Sequence, residues 1–542
     1  MSLFLSNVNG TLFIFISPDW MCTQEEGILI MEQYDVIVIG AGVVGSAIAR
    51  ELSRYELKTA VLEKELDVAT GNSSRNTGML HGGFTYKLGT LRAQCSVEGN
   101  QEFDKVASEL GVPFKRTGKL VVGFTEHDRQ NILRFKANGE ANGVKGMRMV
   151  DADEMHRIEP NAGGNFAMYV PSSGILDPFQ YTIGLAENAC HNGVHFYFGS
   201  RVTGIKQIAK DTPDMALLIK RNPSISGKED LYEVTTERAI FLARWVINSA
   251  GAYANKIGQM MGYPHVPQYG CKGEYYVLDK KAGQFLKIPV YPAPNDQGGF
   301  VTHATPTVDG NILVGPDWYD TEGPEDYANQ KQSLDKLFTD GKKMFPKMAR
   351  PYFIRNFVGI RWRNCNPTTK EALDFRIDTN AGIPHTISLV GIESPGVTAA
   401  TPLARRVAAI LLGTEENEGT RIKKKAAFDP IRKPIPRFAE MTLEERVEAI
   451  REDPNYGQIF CRCENVTKAE VLAALHNPLG VHTVTGIKNR TRSMMGRCQG
   501  GYCQTRITEL IEKELGLSPE DLRYQREGGW IFTGTVRNEA GK

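Results

Sequence analysis

Two groups of residues, near opposite ends of the chain, have the types and spacing to do redox chemistry. Toward the C-terminus stand Cys461-x-Cys463 and, after residues 464–497, Cys498-x₄-Cys503. Four thiolates on two separated loops suit a tetrahedral zinc ion or a [2Fe–2S] cluster. C-x-C is uncommon among zinc knuckles, and the glycines of Gly496-Arg497-Cys498-Gln499-Gly500-Gly501 let backbone N–H groups approach sulfur closely. The cluster is the stronger expectation, with zinc left open. Toward the N-terminus, Gly40-Ala41-Gly42-Val43-Val44-Gly45 reads G-x-G-x-x-G, the pattern that cradles a dinucleotide. Gly40 serves the tight turn, Gly42 the close approach of backbone to pyrophosphate, and Gly45 the contact of helix with strand. Glu63, 18 residues beyond Gly45, is placed to accept hydrogen bonds from ribose hydroxyls.

These residues need a βαβ unit to position them. Residues 34–63 predict one: a strand at Asp35–Ile39, a helix from Gly42 through about Tyr55, and a strand at Thr59–Leu62. Strand and helix signals alternate irregularly to about residue 413. Extended segments at Lys119–Phe124, Phe196–Ile208 and Glu274–Leu278 predict a second domain on a mixed or antiparallel sheet, inserted into the first. Trp245–Gly251 reads as a strand returning to the nucleotide domain. The expected fold class is α/β: a Rossmann-type nucleotide domain with an inserted mixed or antiparallel-sheet substrate domain, plus a small C-terminal helical module. The expected division is 31–413 for the interleaved body, 414–455 for a linker with one helix at Met441–Ile450, 456–510 for the cysteine module, and 511–542 for a tail. A helix is expected around Ile507–Leu515. The basic run Arg421–Lys425 reads as a solvated linker face.

Composition removes other classes. Sixty-four Lys and Arg offset 63 Asp and Glu, giving no basic surplus for nucleic acid. The remaining cysteines, Cys22, Cys95, Cys190, Cys271 and Cys365, lack disulfide-like spacing, which points to a reducing cytoplasm. No apolar run approaches the roughly 20 residues of a membrane span, so membrane contact would be peripheral and through partners. Leu12–Ile16 is too short for a span and lacks a basic lead-in, so no signal peptide is expected. Residues 1–30 read as non-native or disordered. Glu25-Glu26-Gly27 would be encoded by a purine-rich stretch resembling a ribosome-binding site before Met31, and a start at Met31 stands beside a native arm as the alternative.

The polar loop Gly71-Asn72-Ser73-Ser74-Arg75-Asn76-Thr77-Gly78-Met79-Leu80-His81-Gly82-Gly83 resembles that of FAD-dependent oxidoreductases of the D-amino-acid oxidase and glycerol-3-phosphate dehydrogenase superfamily. Asn248–Tyr253 and Gly391–Thr398 extend the resemblance. It implies FAD, with Gly40, Gly42, Gly45, Glu63, Ser74, Arg75, Asn76, His81, Gly251, Gly391, Gly396 and Val397 around it, and a final loop leading into a helix at about Ala400–Leu412. No second fingerprint occurs, so no separate nicotinamide domain is expected. Cys461–Thr467 and Thr491–Cys498 resemble the bacterioferritin-associated-ferredoxin-like [2Fe–2S] domain. Many of its members end in C-x₂-C; the x₄ spacing here matches the longer form attached to anaerobic glycerol-3-phosphate dehydrogenase large subunits. That resemblance implies Cys461, Cys463, Cys498 and Cys503 as ligands and an electron-accepting protein as partner.

Phe300–Gly310 with Gly315-Pro316 resembles the substrate segment of L-2-hydroxyglutarate dehydrogenases, which makes His303 a candidate base for an alcohol proton. Gly359-Ile360-Arg361 resembles the superfamily segment whose arginine clamps an anionic substrate, and Arg363 shares its side of a strand. His81 and Arg75 are placed to face flavin or substrate, and Lys272 is a further source of positive charge. The flavin-loop text, with Leu91-Arg92-Ala93 and Val97–Asn100, pulls toward a 2-hydroxy acid. The whole architecture pulls toward sn-glycerol 3-phosphate, the leading expectation. An amine or amino acid is a third substrate class, and an electron-transfer or scaffold subunit without a substrate is the reading from another class.

Overall fold

In the computed structural model, residues 32–321 and 323–534 are described in full. Ahead of them only strand backbone is described, at Phe4–Val8, Thr11–Phe15 and the start of Ile30–Ile39. The choice between a start at Met31 and a native arm lies outside the described residues.

The run Tyr34–Ile39 is apolar enough to be buried on both faces, as a parallel strand covered by helices requires, and Val36, Ile37 and Val38 are fully enclosed. Its strand, Ile30–Ile39, pairs in parallel with Thr59–Leu62 on one side and Ile240–Asn248 on the other. His195–Tyr197 extends this sheet beyond Thr59–Leu62. Antiparallel strands Leu231–Thr236 and Val202–Ile208 extend the opposite edge, and Thr386–Val390 adds in parallel to Ile240–Asn248. The extended segment expected at Phe196–Ile208 is therefore two strands on opposite edges of one sheet. Gly199, at φ +62, lies in the turn between them.

The helix Val43–Leu52 stops short of Tyr55, and the helix expected at Ala400–Leu412 is longer, Gly396–Asn417, with Pro402 inside it. Pro402 has no N–H for the Thr398 carbonyl. Gly99, in the helix Leu91–Leu110, lies so close to that carbonyl that a Cβ would collide with it.

The second sheet has nine strands, from Tyr319–Thr321 through Gln268–Leu278, Ile312–Gly315, His303–Pro306, Val290–Pro292, Leu120–Gly123 and Phe166–Tyr169 to Arg148–Asp151, with Phe353–Asn364 beside Gln268–Leu278. Its pairings are antiparallel except Val290–Pro292 with Leu120–Gly123, so it is mixed.

The C-terminal module has a strand pair, Ile459–Cys461 with Val466–Thr467, and helices Lys468–Leu475, Val484–Thr491 and Gln504–Leu515 around its own core. The boundary expected at 510 falls inside the last helix, and Leu522 belongs to the same core. The connecting segment holds the expected helix at Leu443–Glu452, capped by Thr442 and Glu445. It is strapped to the body elsewhere: Glu56 N–H donates to Lys423 O, and buried Arg432 pairs with Glu187 at 2.7 Å. Among the described residues, no helix is long and apolar enough to cross a membrane.

Candidate active site

Gly40 leaves the first core strand at φ +102, where a side chain would press on Ser249 O at 2.8 Å. A Cβ on Gly45 would run into Gly40 O, so this glycine sets the approach of helix to strand. The helix has no side-chain cap on Gly42, which leaves first-turn N–H groups for an anion. Val43 N–H donates to Ser73 Oγ at 2.9 Å. Ser73, not Ser74, therefore meets the helix start; Ser74 Oγ bonds Gly71 O in the turn Asn72–Ser74. Glu63 accepts from Ala41 N–H at 2.7 Å and Glu65 N–H at 3.0 Å, one on each carboxylate oxygen. Each oxygen keeps a lone pair for a hydroxyl.

One cavity of about 1330 Å³ collects most of the expected residues. Ordinary small-ligand pockets reach roughly 1,000 Å³, so a dinucleotide and a small substrate fit together here. Its walls include Gly40, Gly42, Glu63, Arg75, Asn76, His81, Gly251, His303, Arg361, Gly396 and Val397. Gly45, Ser74 and Gly391 are not in its wall. Gly391, at φ +73, is a packing position whose Cβ would strike the Asn364 side chain.

His303 begins a strand and is 4% exposed. Its ring stacks on Tyr291 with centroids 3.7 Å apart, and Nδ1 lies 3.0 Å from Thr305 Oγ1. Burial, reinforced by Lys119, His81 and Arg361, holds its pKa well below the ordinary value, so the imidazole is neutral. His81, in the same cavity with Nε2 3.5 Å from Ser394 Oγ, is driven to about 3 by burial and Lys119.

Arg361 lies opposite Cys271 in the antiparallel pair and places Nη2 3.1 Å from that sulfur. Among the described residues no carboxylate pairs with it. Arg363 shares its side of the strand, and both guanidiniums lie over Trp318. Arg363, however, is bonded to Glu393 at 2.7 Å, which also takes Arg92 at 3.1 Å. Lys272 does not supply free charge: its Nζ pairs with Asp326 at 2.8 Å, and the residue is 1% exposed and outside the cavity wall.

Sequence reasoning missed Lys119. Fully buried behind the cavity, its Nζ has no hydrogen-bond partner among the described residues and lies 4.4–4.9 Å from the centroids of Phe84, Tyr291 and Phe300. Burial lowers its pKa to about 7. The one signal was a lysine heading the otherwise apolar strand Leu120–Gly123.

The four C-terminal cysteines form two pairs, Cys461 with Cys503 and Cys463 with Cys498. Among the described residues no three metal-ligating side chains already converge as a ligand set. The surroundings nevertheless fit an anionic cluster. The backbone N–H groups of Met494, Glu464 and Cys463 favour a thiolate at Cys461, and those of Tyr502 and Gly500 do the same at Cys498. A hydrogen bond from Cys503 brings the Cys461 thiol down to about 6. Gly496 sits where any Cβ would strike Cys463. Met494 and Gln499 adopt positive φ to turn the backbone there.

Two half-buried histidines make stability pH-dependent. His482, in the module, is lowered to about 4 by burial, and His81 to about 3. A histidine with a depressed folded pKa binds its proton more readily when unfolded. Its effect is absent above about 6.5 and destabilises progressively as pH falls toward the folded pKa, by about 1.4 kcal/mol per pH unit for each fully coupled group. Denaturation midpoints should therefore begin to fall below about pH 6.5, and His482→Asn should flatten that slope. Equal slopes for the variant and the parent would refute it.

A twisted α/β nucleotide domain, a mixed sheet closing over its fingerprint, and a thiol-rich module define a two-centre flavoprotein oxidoreductase. The chain belongs to the FAD dependent oxidoreductase (DAO) family, which matches residues 35–410. The BFD-like [2Fe-2S] binding domain matches residues 459–513. The protein therefore uses FAD and carries a [2Fe–2S] domain. It is 34% identical to a glycerol 3-phosphate dehydrogenase of Caloramator mitchellensis, over 93% of this chain and 99% of that protein. It is 31% identical to a mitochondrial L-2-hydroxyglutarate dehydrogenase of Arabidopsis thaliana, over 70% and 83% of the two chains. The structure of an L-alpha-glycerophosphate oxidase from Mycoplasma pneumoniae with FAD bound superposes with a TM-score of 0.65 at 26% identity, over 74% of this chain and 99% of that one.

Proposed function

We propose that this FAD-dependent dehydrogenase oxidises the secondary alcohol of sn-glycerol 3-phosphate to dihydroxyacetone phosphate and passes the electrons through its cluster to an acceptor protein. The observation that carries the reading is that Arg361, with no carboxylate partner among the described residues, shares the wall of the dinucleotide cavity with neutral His303. The likeness to the Caloramator enzyme along almost its whole length supports the phosphate substrate. The Arabidopsis relative, which covers 70% of this chain against 93% for the Caloramator enzyme, supports a 2-hydroxy acid as the second reading.

Bound FAD would supply a two-electron acceptor, and a [2Fe–2S] cluster, which Cys461, Cys463, Cys498 and Cys503 would hold, a one-electron exit. Arg361 holds the anionic group in its planar fork and aligns the carbinol C–H. His303 takes the hydroxyl proton at Nε2 while Nδ1–H donates to Thr305 Oγ1, an orientation that Tyr291 fixes by stacking. Burial, with Lys119 caged behind Tyr291, keeps the resting His303 neutral and so free to accept that proton. Gly40, Gly42, Glu63, Gly251, Gly396 and Val397 serve the dinucleotide. The thiolate ligands fit a reducing, cytoplasmic setting.

Mixing the anaerobic holoprotein with sn-glycerol 3-phosphate, L-2-hydroxyglutarate and glycine separately tests the reading. Bleaching of the flavin by sn-glycerol 3-phosphate is expected. Bleaching by the hydroxy acid alone selects the second reading, and no bleaching by any of them selects a relay subunit without a substrate.

A further inference from the structure

After the last module helix the chain turns at Gly516, and Leu522 plugs the module core. Residues 523–530 then form a closed loop. Val484 N–H donates to Arg523 O at 3.2 Å, Thr485 N–H to Tyr524 O at 2.8 Å, and Tyr524 N–H to Gly529 O at 2.7 Å. The Arg523 guanidinium lies on the Trp530 ring, 3.1 Å from its centroid.

The tip of this loop reaches the nucleotide cavity. Arg526 Nη1 is 3.2 Å from Glu325, and its Nε is 3.7 Å from Glu65, two residues beyond Glu63. Its guanidinium lies 5.6 Å from the centroid of Tyr327, whose ring also carries Arg75 at 4.0 Å. Glu325 is bonded as well to Lys64 and to Tyr253 Oη, the latter at 2.8 Å. Glu527 pairs with Arg238 at 2.6 Å. Arg526, Glu65, Glu325 and Tyr327 all line the cavity. Residue 526 lies outside both matched segments, 35–410 and 459–513.

We infer that the loop 523–530 is a third wall of the FAD site, closing over the half of the cofactor nearest Glu63. Arg526, together with Lys64, joins Glu65 of the nucleotide domain to Glu325 of the substrate domain, so opening the Arg526 contacts eases the cofactor's exit. Arg526 is a positioning residue: it acts on the closure of the cleft, through carboxylates that belong to its two sides. Because ion pairs at half-exposed sites are individually weak, the effect falls on the rate of escape.

The test follows FAD release from the full-length holoprotein into an excess of an FAD-scavenging apoflavoprotein, with no substrate present, so that it is independent of the proposed reaction. Arg526→Ala should release FAD about threefold faster, and Arg526→Glu, which sets a third carboxylate between Glu65 and Glu325, more than about tenfold faster. Arg526→Lys should recover most of the parent rate. Deleting residues 523–542 should match or exceed Arg526→Glu, with the cluster's visible absorption and iron content confirming an intact module. Should the truncated chain not fold, the three point variants carry the test. Release at the parent rate from both Arg526→Ala and Arg526→Glu would overturn the inference.

Discussion

Arg361→Met is expected to lower kcat/KM for the anionic alcohol by at least about 30-fold while FAD stays bound, because truncating one partner of a desolvated charge pair costs roughly 2–5 kcal/mol. The size of the effect follows from the surroundings of Arg361. Arg363, one pleat away, is saturated by Glu393, and Lys272 by Asp326, so neither can take over the anion. Cys271 sulfur is a weak acceptor and leaves most of the guanidinium fork unused. The loss should appear largely in KM, with saturating substrate recovering part of the rate. His303→Ala gives the opposite split: a base is worth about 10²–10⁴ in the chemical step, so saturating substrate does not rescue flavin reduction. Stopped-flow bleaching across substrate concentrations separates the two. Parent-like saturation curves for Arg361→Met would remove the anion clamp from the mechanism.

Arg490→Met is expected to release the cluster module from the body and to destabilise the protein by about 3–5 kcal/mol, the cost of leaving buried carboxylates without their cation. Arg490 sits in the helix Val484–Thr491, and its side chain has no solvent exposure. Its fork binds Asp67 at 2.8 and 3.1 Å, and its Nε lies 3.4 Å from Glu187. Glu187 also holds Arg432 of the connecting segment, so one substitution disturbs module, linker and flavin domain together. A neighbouring bridge, Arg492 with Asp309 at 2.5 Å and Glu464 at 2.9 Å, ties the module to the substrate domain. Thermal unfolding and limited proteolysis within 414–455 read the outcome. An unchanged melting temperature together with parent-like resistance to cleavage would show that this buried cluster does not hold the module.

The nucleotide half was legible because its signal is local. An apolar strand, three glycines and a terminal acid fall within 30 residues, and each has a backbone reason to be there. The module was legible for the same reason, its cysteines and glycines being confined to short loops. Arg361 and Arg363 read alike in sequence, and the strand period does place them together. What separates them is Glu393, 30 residues away, which only the tertiary structure brings alongside. Lys119 escaped because a lysine at the head of an apolar strand has the pattern of an exposed strand end; its aromatic cage comes from three distant segments. Ser73 and Ser74 differ by one step of a tight turn, finer than loop text resolves. Arg526 escaped entirely, since its charged tail carries no periodicity and its partners lie 201 and 461 positions away.

The buried ion cluster of Asp67, Glu187, Arg432 and Arg490 also bears on reaction order. With the module clamped against the flavin domain, the spacing between the two redox centres is fixed when the chain folds. On the proposed route, the step between them is first-order: dilution does not slow it, and no tethered search precedes it. Only the final handover depends on how much acceptor is present. Titrating the acceptor at constant protein should therefore change the rate at which the cluster is reoxidised while leaving the rate at which it is filled untouched.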